Sequence, residues 1–305
     1  PTPSIIDSGQ GPPAHIKDCE QYVGKIIFMS NLKDTTDGNP YEIYMMDPDG
    51  DNLVPVTQDT YFDAHPAWSP DHCPIVFTSQ REKDSYEDLY VINADGTGLT
   101  HLTSDPGSER MANWSPDGKH IIYISQTDMD IDLFVMNADG SHPINLTNSP
   151  EQERDPEWSP DGNKILFVCS NPIGDYEGHG GICLIDPDGS NFTRLTPVNE
   201  NNYMFPTWSP DGTQIALVTN LSGQLEIYTM KPDGSDLNQV TSFSTQWNPV
   251  FLNWSADGKK IVFEDRAGVL GDGSVFQDIS ILYLDDLSVV NLTNSDEVDD
   301  RAPDW

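Results

Sequence analysis

The sequence predicts an all-β fold: a six-bladed β-propeller with four antiparallel strands per blade, its ring closed by a C-terminal strand that joins three N-terminal ones. Three observations carry this. First, one block recurs along the 305 residues: HPAWSPDH (65–72), MANWSPDG (111–118), DPEWSPDG (155–162), FPTWSPDG (205–212), FLNWSADG (251–258), and RAPDW (301–305) as a sixth start. Its spacing runs from 44 residues (Trp114 to Trp158) to 51 (Trp254 to Trp305), the length of a four-stranded propeller blade. Second, each block is followed by two apolar, β-rich runs and a short segment ending in Thr. Third, the two ends of the chain are complementary.

The elements follow in order. Residues 1–21, PTPSIIDSGQGPPAHIKDCEQ, form a Pro/Gly-rich arm that reads as extended or irregular. It could be a tether, lie on the propeller with Cys19 near Cys73, or dock on a neighbouring molecule as a strand-exchange arm. Residues 22–305 form the propeller. KIIFMS (25–30), EIYMM (42–46) and LVPVT (53–57) are strands two, three and four of a blade without a first. In the five whole units the second strands are IVFTS, IIYIS, ILFVCS, IALVT and IVFE, and the third are DLYVI, DLFVM, GICLI, EIYTM and SILYL. RAPDW is a first strand with nothing after it, so the ends make the sixth blade and no sheet edge is left open in the ring. Trp packs between blades, the Pro two before it (Pro66, Pro156, Pro206, Pro303) suits a strand start, and Asp-Gly supplies a tight turn. The repeat is therefore architecture.

With 15 Lys+Arg against 50 Asp+Glu the net charge is −35. Such a field repels nucleic acid and anionic membranes and favours cations. No apolar run is long enough to span a bilayer, and residues 1–18 lack the basic and apolar regions of a signal peptide, as a processed secreted or periplasmic chain would. Cys19, Cys73, Cys169 and Cys183 form no C-x-x-C, which disfavours zinc and redox motifs. Cys169 and Cys183 flank a hairpin, as a disulfide or as two buried thiols.

The pattern P-x-W-S-P-D-G, I-x-F-x-S, I-Y-x-M-[DN]-x-D-G-S and L-T closely resembles the TolB-like propeller repeat, over residues 22–305. The resemblance implies six blades and extends to propeller domains of prolyl-oligopeptidase-type and tricorn-type proteases. It implies no single activity. The additional domain of TolB and the hydrolase domain of the peptidases have no counterpart in the sequence, and the propeller lyases in the resemblance rely on metal-binding histidines that cannot be placed here.

Function is expected on the face carrying the two–three and four–one loops, since the opposite face carries stereotyped turns. Five residues before each Trp, Asp63, Glu109, Glu153 and Asp300 are acidic, and Arg110, Arg154 and Arg301 follow three of them. They are expected at the mouth of the central funnel, with His65. There they would bind a cation (Ca2+ rather than zinc, given hard oxygen ligands) or an amine-bearing ligand, or form a network in which each Arg neutralises a carboxylate. Trp247 lies in the longest four–one loop, as a stacking surface or a plug. Asp128, Asp130 and Asp132 alternate along one hairpin and are a candidate calcium site without the Gly and Glu of an EF-hand loop. Loop 171–181 holds Asp175, Glu177 and His179 as a further metal candidate. No G-x-S-x-G, H-E-x-x-H or Walker motif occurs. The leading expectation is a secreted or periplasmic non-enzymatic scaffold that binds a protein or other ligand. The rivals are a self-associating structural subunit using residues 1–21 and a polysaccharide lyase or hydrolase.

Overall fold

A computed structural model of the chain describes residues 19–32, 41–81, 86–127, 130–170, 180–197, 201–243, 248–269, 275–294 and 298–305. These form six four-stranded antiparallel sheets. Five are continuous in sequence. The sixth, blade 1, joins the inner strand Asp300–Asp304 to Ile26–Ser30, Glu42–Met46 and Val54–Pro55. The inner strands of blades 2 to 6 are Asp63–Trp68, Ser108–Trp114, Gln152–Trp158, Tyr203–Trp208 and Val250–Trp254. Each touches the inner strand of the next blade, and the last returns to the first through Asp300–Asp304. The ring is closed as the chain ends imply.

Burial explains why strands two and three read as continuous apolar runs. A blade is covered on both faces by its neighbours, so Ile26–Ser30, Pro74–Ser79 and Gly180–Ile185 are buried at every position. The core is accordingly six clusters, one per seam between blades. At the seam of blades 1 and 2, for example, Ile27, Ile43 and Met45 pack with Trp68, Ile75 and Phe77. The outer fourth strands are two or three residues long and mostly exposed, a length that blunts an open edge.

The repeated Thr after each fourth strand continues the ladder that the strand abandons. In all six blades its hydroxyl accepts a backbone N–H of the third strand: Ile43 to Thr57, Leu89 to Thr103, Leu133 to Thr147, Ile182 to Thr196, Ile227 to Thr241 and Ile279 to Thr293, at 2.8–3.1 Å. In the S-P-D-G turn the Ser hydroxyl donates to the Asp carboxylate, as Ser115 does to Asp117 at 2.7 Å. Glycine is needed in the three–four turns, where φ is positive and a neighbouring blade is close. A Cβ on Gly140 (φ 83°) would lie 2.7 Å from the Leu102 carbonyl oxygen.

Residues 19–25 lie against blades 1 and 2, with a 3-10 turn at Glu20–Tyr22 where an extended or irregular path is expected. Gly24 and Lys25 carbonyls accept the indole N–H groups of Trp305 and Trp68 at 2.9 and 3.1 Å. Both cysteine pairs are joined: Cys19 to Cys73 (Cα–Cα 5.2 Å) and Cys169 to Cys183 (6.0 Å). No helix among the described residues is long and apolar enough to cross a membrane.

Candidate functional site: the central channel

Every inner strand carries the same irregularity. In blade 4 the ladder steps from Arg154↔Val168 to Glu157↔Leu166, so Asp155 and Pro156 together oppose Phe167. This is a β-bulge, and the other five blades shift at the same place. The first bulge residue has positive φ each time: His65 (48°), Met111 (52°), Asp155 (50°), Phe205 (48°), Phe251 (49°) and Ala302 (48°). None is glycine, and a bulky residue there is an outlier that needs support from its surroundings. The support is the bulge, completed in four blades by a Pro that cannot donate to the ladder. These residues line a cavity of about 120 Å³ on the propeller axis, the share of roughly four water molecules.

The lining falls into two rings. The one nearer the loop face consists of the six bulge residues. Phe205 and Phe251 meet at 4.6 Å between ring centroids, and His65 lies 5.9 Å from Phe251. His65 and Phe251 belong to blades 2 and 6. They meet because blade 1, between them, contributes only Ala302. The deeper ring holds the residues just before five of the six repeat Trp: Ala67, Asn113, Glu157, Asn253 and Asp304. Its carboxylates tie blades together. Glu157 accepts the Trp208 backbone N–H at 3.1 Å, and Asp304 accepts that of Trp68 at 2.6 Å and the Asn253 side-chain amide at 2.5 Å.

Burial dominates the electrostatics. It pushes Asp155 and Asp304 up to about 6 and Glu157 up to about 8, the last with a further push from Asp304. It holds the His65 imidazole down at about 4, helped by Arg110 and Arg301. At neutral pH His65 is therefore a neutral ring, and its Nδ1 is buried without a partner.

The acids expected at the funnel mouth sit elsewhere. Asp63, Glu109, Glu153 and Asp300 are buried, the first three against side chains within the seams, with 0–3% exposure. Asp63 accepts Ser79 at 2.5 Å and Arg81 at 2.6 Å, Glu109 accepts Ser125 at 2.9 Å, and Glu153 accepts Ser149 at 2.8 Å. Burial raises Asp63 and Glu109 to about 7 and Glu153 to about 8. The arginines do not bond to these acids, because consecutive strand residues point to opposite faces. Arg110 pairs with Glu87 at 2.9 Å, Arg301 with Asp299 at 2.8 Å, and Arg154 bonds Gln152 at 3.2 Å. His65 lines the channel. Asp132 accepts Asn145, Thr147 and the Ser149 backbone, closing a turn, while Asp130 is exposed. Asp128, Trp247 and the candidates at 175, 177 and 179 lie outside the described residues.

Sequence reasoning missed two groups. Glu42, Asp59 and Asp63 bring carboxylate oxygens within 4.8 Å of one another, and Arg81 bridges Asp59 and Asp63. The channel residues Met111, Asp155, Glu157, Phe205, Phe251 and Asp304 were absorbed into the repeat. Their signal was that positions three and one before Trp vary from blade to blade inside a fixed frame.

The profile of the TolB beta propeller domain matches residues 19–204. The chain belongs to the TolB β-propeller domain family. The TolB of Acinetobacter baumannii superposes with a TM-score of 0.72 at 23% identity, over 93% of this chain and 67% of that one. Oligogalacturonate lyase of Vibrio parahaemolyticus gives 0.60 at 16% identity, over 88% and 74%. A stretch of 91 residues is 30% identical to dipeptidyl-peptidase 5 of Porphyromonas endodontalis, covering 30% of this chain but 13% of that peptidase. At these identities the TolB and lyase structures establish a common fold.

Proposed function

We propose that this TolB-type propeller is a non-enzymatic, extracytoplasmic binding scaffold whose loop face and central channel receive a partner. The observation that carries the reading is the contrast between a backbone repeated six times and a channel lining that changes in almost every blade. A frame so regular does not need a His, a Met, an Asp and two Phe at one repeated bulge. Variation confined to an axial cavity fits recognition of an asymmetric ligand. The two disulfides fit an oxidising compartment. The partner is another protein or a second copy of this chain, the latter engaged through residues 1–21. A polysaccharide lyase or hydrolase is the weaker reading, since the described cavity lining holds one histidine, His65.

Calcium is the candidate ion, at Asp128, Asp130 and Asp132 or at Glu42, Asp59 and Asp63. At the second place Arg81 already offsets two carboxylates, so an ion would compete with its guanidinium. The test joins two measurements. Capture from native extract should recover a partner with the wild-type chain and lose it when residues 171–179 and 270–274 are replaced by Gly-Ser, which leaves the strands Gly180–Ile185, Lys260–Val269 and Val275–Tyr283 intact. Retention of every partner by that variant would remove the loop face from the reading. Melting with EDTA and then with millimolar calcium should raise Tm if the native state holds the ion. An unchanged Tm would rule calcium out.

A further inference from the structure

We propose that the channel cavity is a binding site for an ammonium group, either the head of a small organic cation or a lysine side chain presented by a partner. The inference rests on the channel reading above and names the chemistry that the channel selects.

The argument is one of exclusion by the walls. Phe205, Phe251 and His65 form an aromatic arc, with centroids 4.6 and 5.9 Å apart. Asp155 stands beside Phe205 in the same ring, and Glu157 and Asp304 lie one step deeper. An anion would face three carboxyl groups. A divalent metal wants six or more oxygen ligands, and five of the six side chains in the bulge ring have no oxygen to offer: Phe205, Phe251, Met111, Ala302 and His65. A monovalent organic cation suits both halves of the wall. Aromatic faces attract it through their quadrupoles, most strongly where water is excluded, and the carboxylates supply the opposite charge.

The arginines near the mouth oppose a cation, since Arg110 and Arg301 act on His65, but their own partners reduce that field. Arg110 is paired with Glu87 and Arg301 with Asp299, while Arg154 acts on Asp155 and bonds Gln152. The cavity, at about 120 Å³, admits a group of a few heavy atoms, the size of a trimethylammonium head or the end of a lysine side chain.

The experiment titrates the wild-type protein with choline, with n-butylammonium and with 3,3-dimethylbutanol, the uncharged isostere of choline, by calorimetry and by NMR of the His65 ring. At least one ammonium should bind with a Kd of about 1 mM, the scale expected of a ligand of this size. The alcohol should bind at least about tenfold more weakly, since the cation–aromatic and charge contributions are lost. His65 ring signals should shift with the ammonium, which locates the site without any variant. Phe251→Leu and Asp155→Asn should each weaken binding about tenfold, with folding checked by melting. Lysine amide and trimethyl-lysine amide then separate the sources. Preference for a lysine amide indicates a partner's side chain, and preference for choline indicates a free cation. Equal binding of alcohol and choline, or binding that leaves His65 unmoved, overturns the proposal. So does the absence of ammonium binding while partner capture persists, an outcome that leaves the scaffold reading standing.

Discussion

Glu264 shows what burial does to a single carboxyl group in this ring. It sits at the seam of blades 6 and 1, 2% exposed, and accepts the Ala302 backbone N–H at 2.9 Å. Burial pushes its pKa from 4.5 to about 8, against the pull of that bond and of Arg301. The folded state thus keeps a proton that the unfolded chain releases. The resulting contribution to stability is complete below pH 4.5, shrinks as pH rises, and is gone above about 8. Glu264→Gln, which mimics the protonated form, should flatten the fall in unfolding free energy between pH 5 and 8 by on the order of 2 kcal/mol, read from denaturant midpoints at the two pH values. A pH profile identical to wild type would show that Glu264 ionises normally. At this scale the sequence was least legible. Asp63, Glu109 and Glu153 were visible as a periodic acid, but whether a side chain at a strand end faces the axis or a seam depends on the bulge two residues later. No glycine marks that bulge, and the Pro that completes it in four blades reads equally well as a strand start.

Strands two and three were legible in their apolar parts, since a sheet covered on both faces demands uninterrupted apolar residues, but in blade 6 the strands Lys260–Val269 and Val275–Tyr283 extend through residues 264–269 and 275–280 that read as loop. The fourth strand was legible only as a position. Its ladder ends after two or three residues, and a Thr hydroxyl takes over the next backbone bond. The repeated L-T therefore marks where the strand stops and a side chain replaces it. Thr241 illustrates the load, since its Oγ1 accepts the Ile227 N–H at 2.9 Å and donates to Glu226 at 2.6 Å. Thr241→Val keeps the shape and leaves both groups buried without that partner. It should cost about 1–3 kcal/mol, seen as a lower denaturant midpoint with an unchanged slope. Thr241→Ser should recover most of the loss, and a Val variant as stable as wild type would show that the hydroxyl bonds contribute nothing net.

For the whole molecule, the blade count was legible from five whole repeats plus the ends, because three strands without a first and a first without three complete each other. The covalent bracing was legible as two candidate pairs, Cys169 with Cys183 across a hairpin and Cys19 near Cys73, but residue types alone do not say whether the thiols are joined. Cys19–Cys73 spans 54 residues and ties the segment ahead of blade 1 to blade 2. Cys19→Ala with Cys73→Ala should lower stability by about 2–4 kcal/mol, checked by melting beside wild type under non-reducing conditions. Equal melting of the two would mean that the packing of Tyr22 against Trp68 and the two indole bonds already secure that segment.

The two rings of the channel differ in one further respect. Glu157 stands three blades from Asp304 and Asn113 three blades from Asn253, so the deep ring nearly repeats itself after a half turn about the axis. The bulge ring has no such dyad: Asp155 faces Ala302, His65 faces Phe205, and Met111 faces Phe251. A guest that reached only the deep ring would meet nearly the same arrangement of groups in two orientations, told apart mainly by the higher pKa of Glu157. One held by the bulge ring would be locked in a single pose. Handedness of recognition in this propeller therefore resides in six side chains near the loop face; exchanging facing pairs would only turn the site by half a revolution, and reversing their order around the axis is what would invert it.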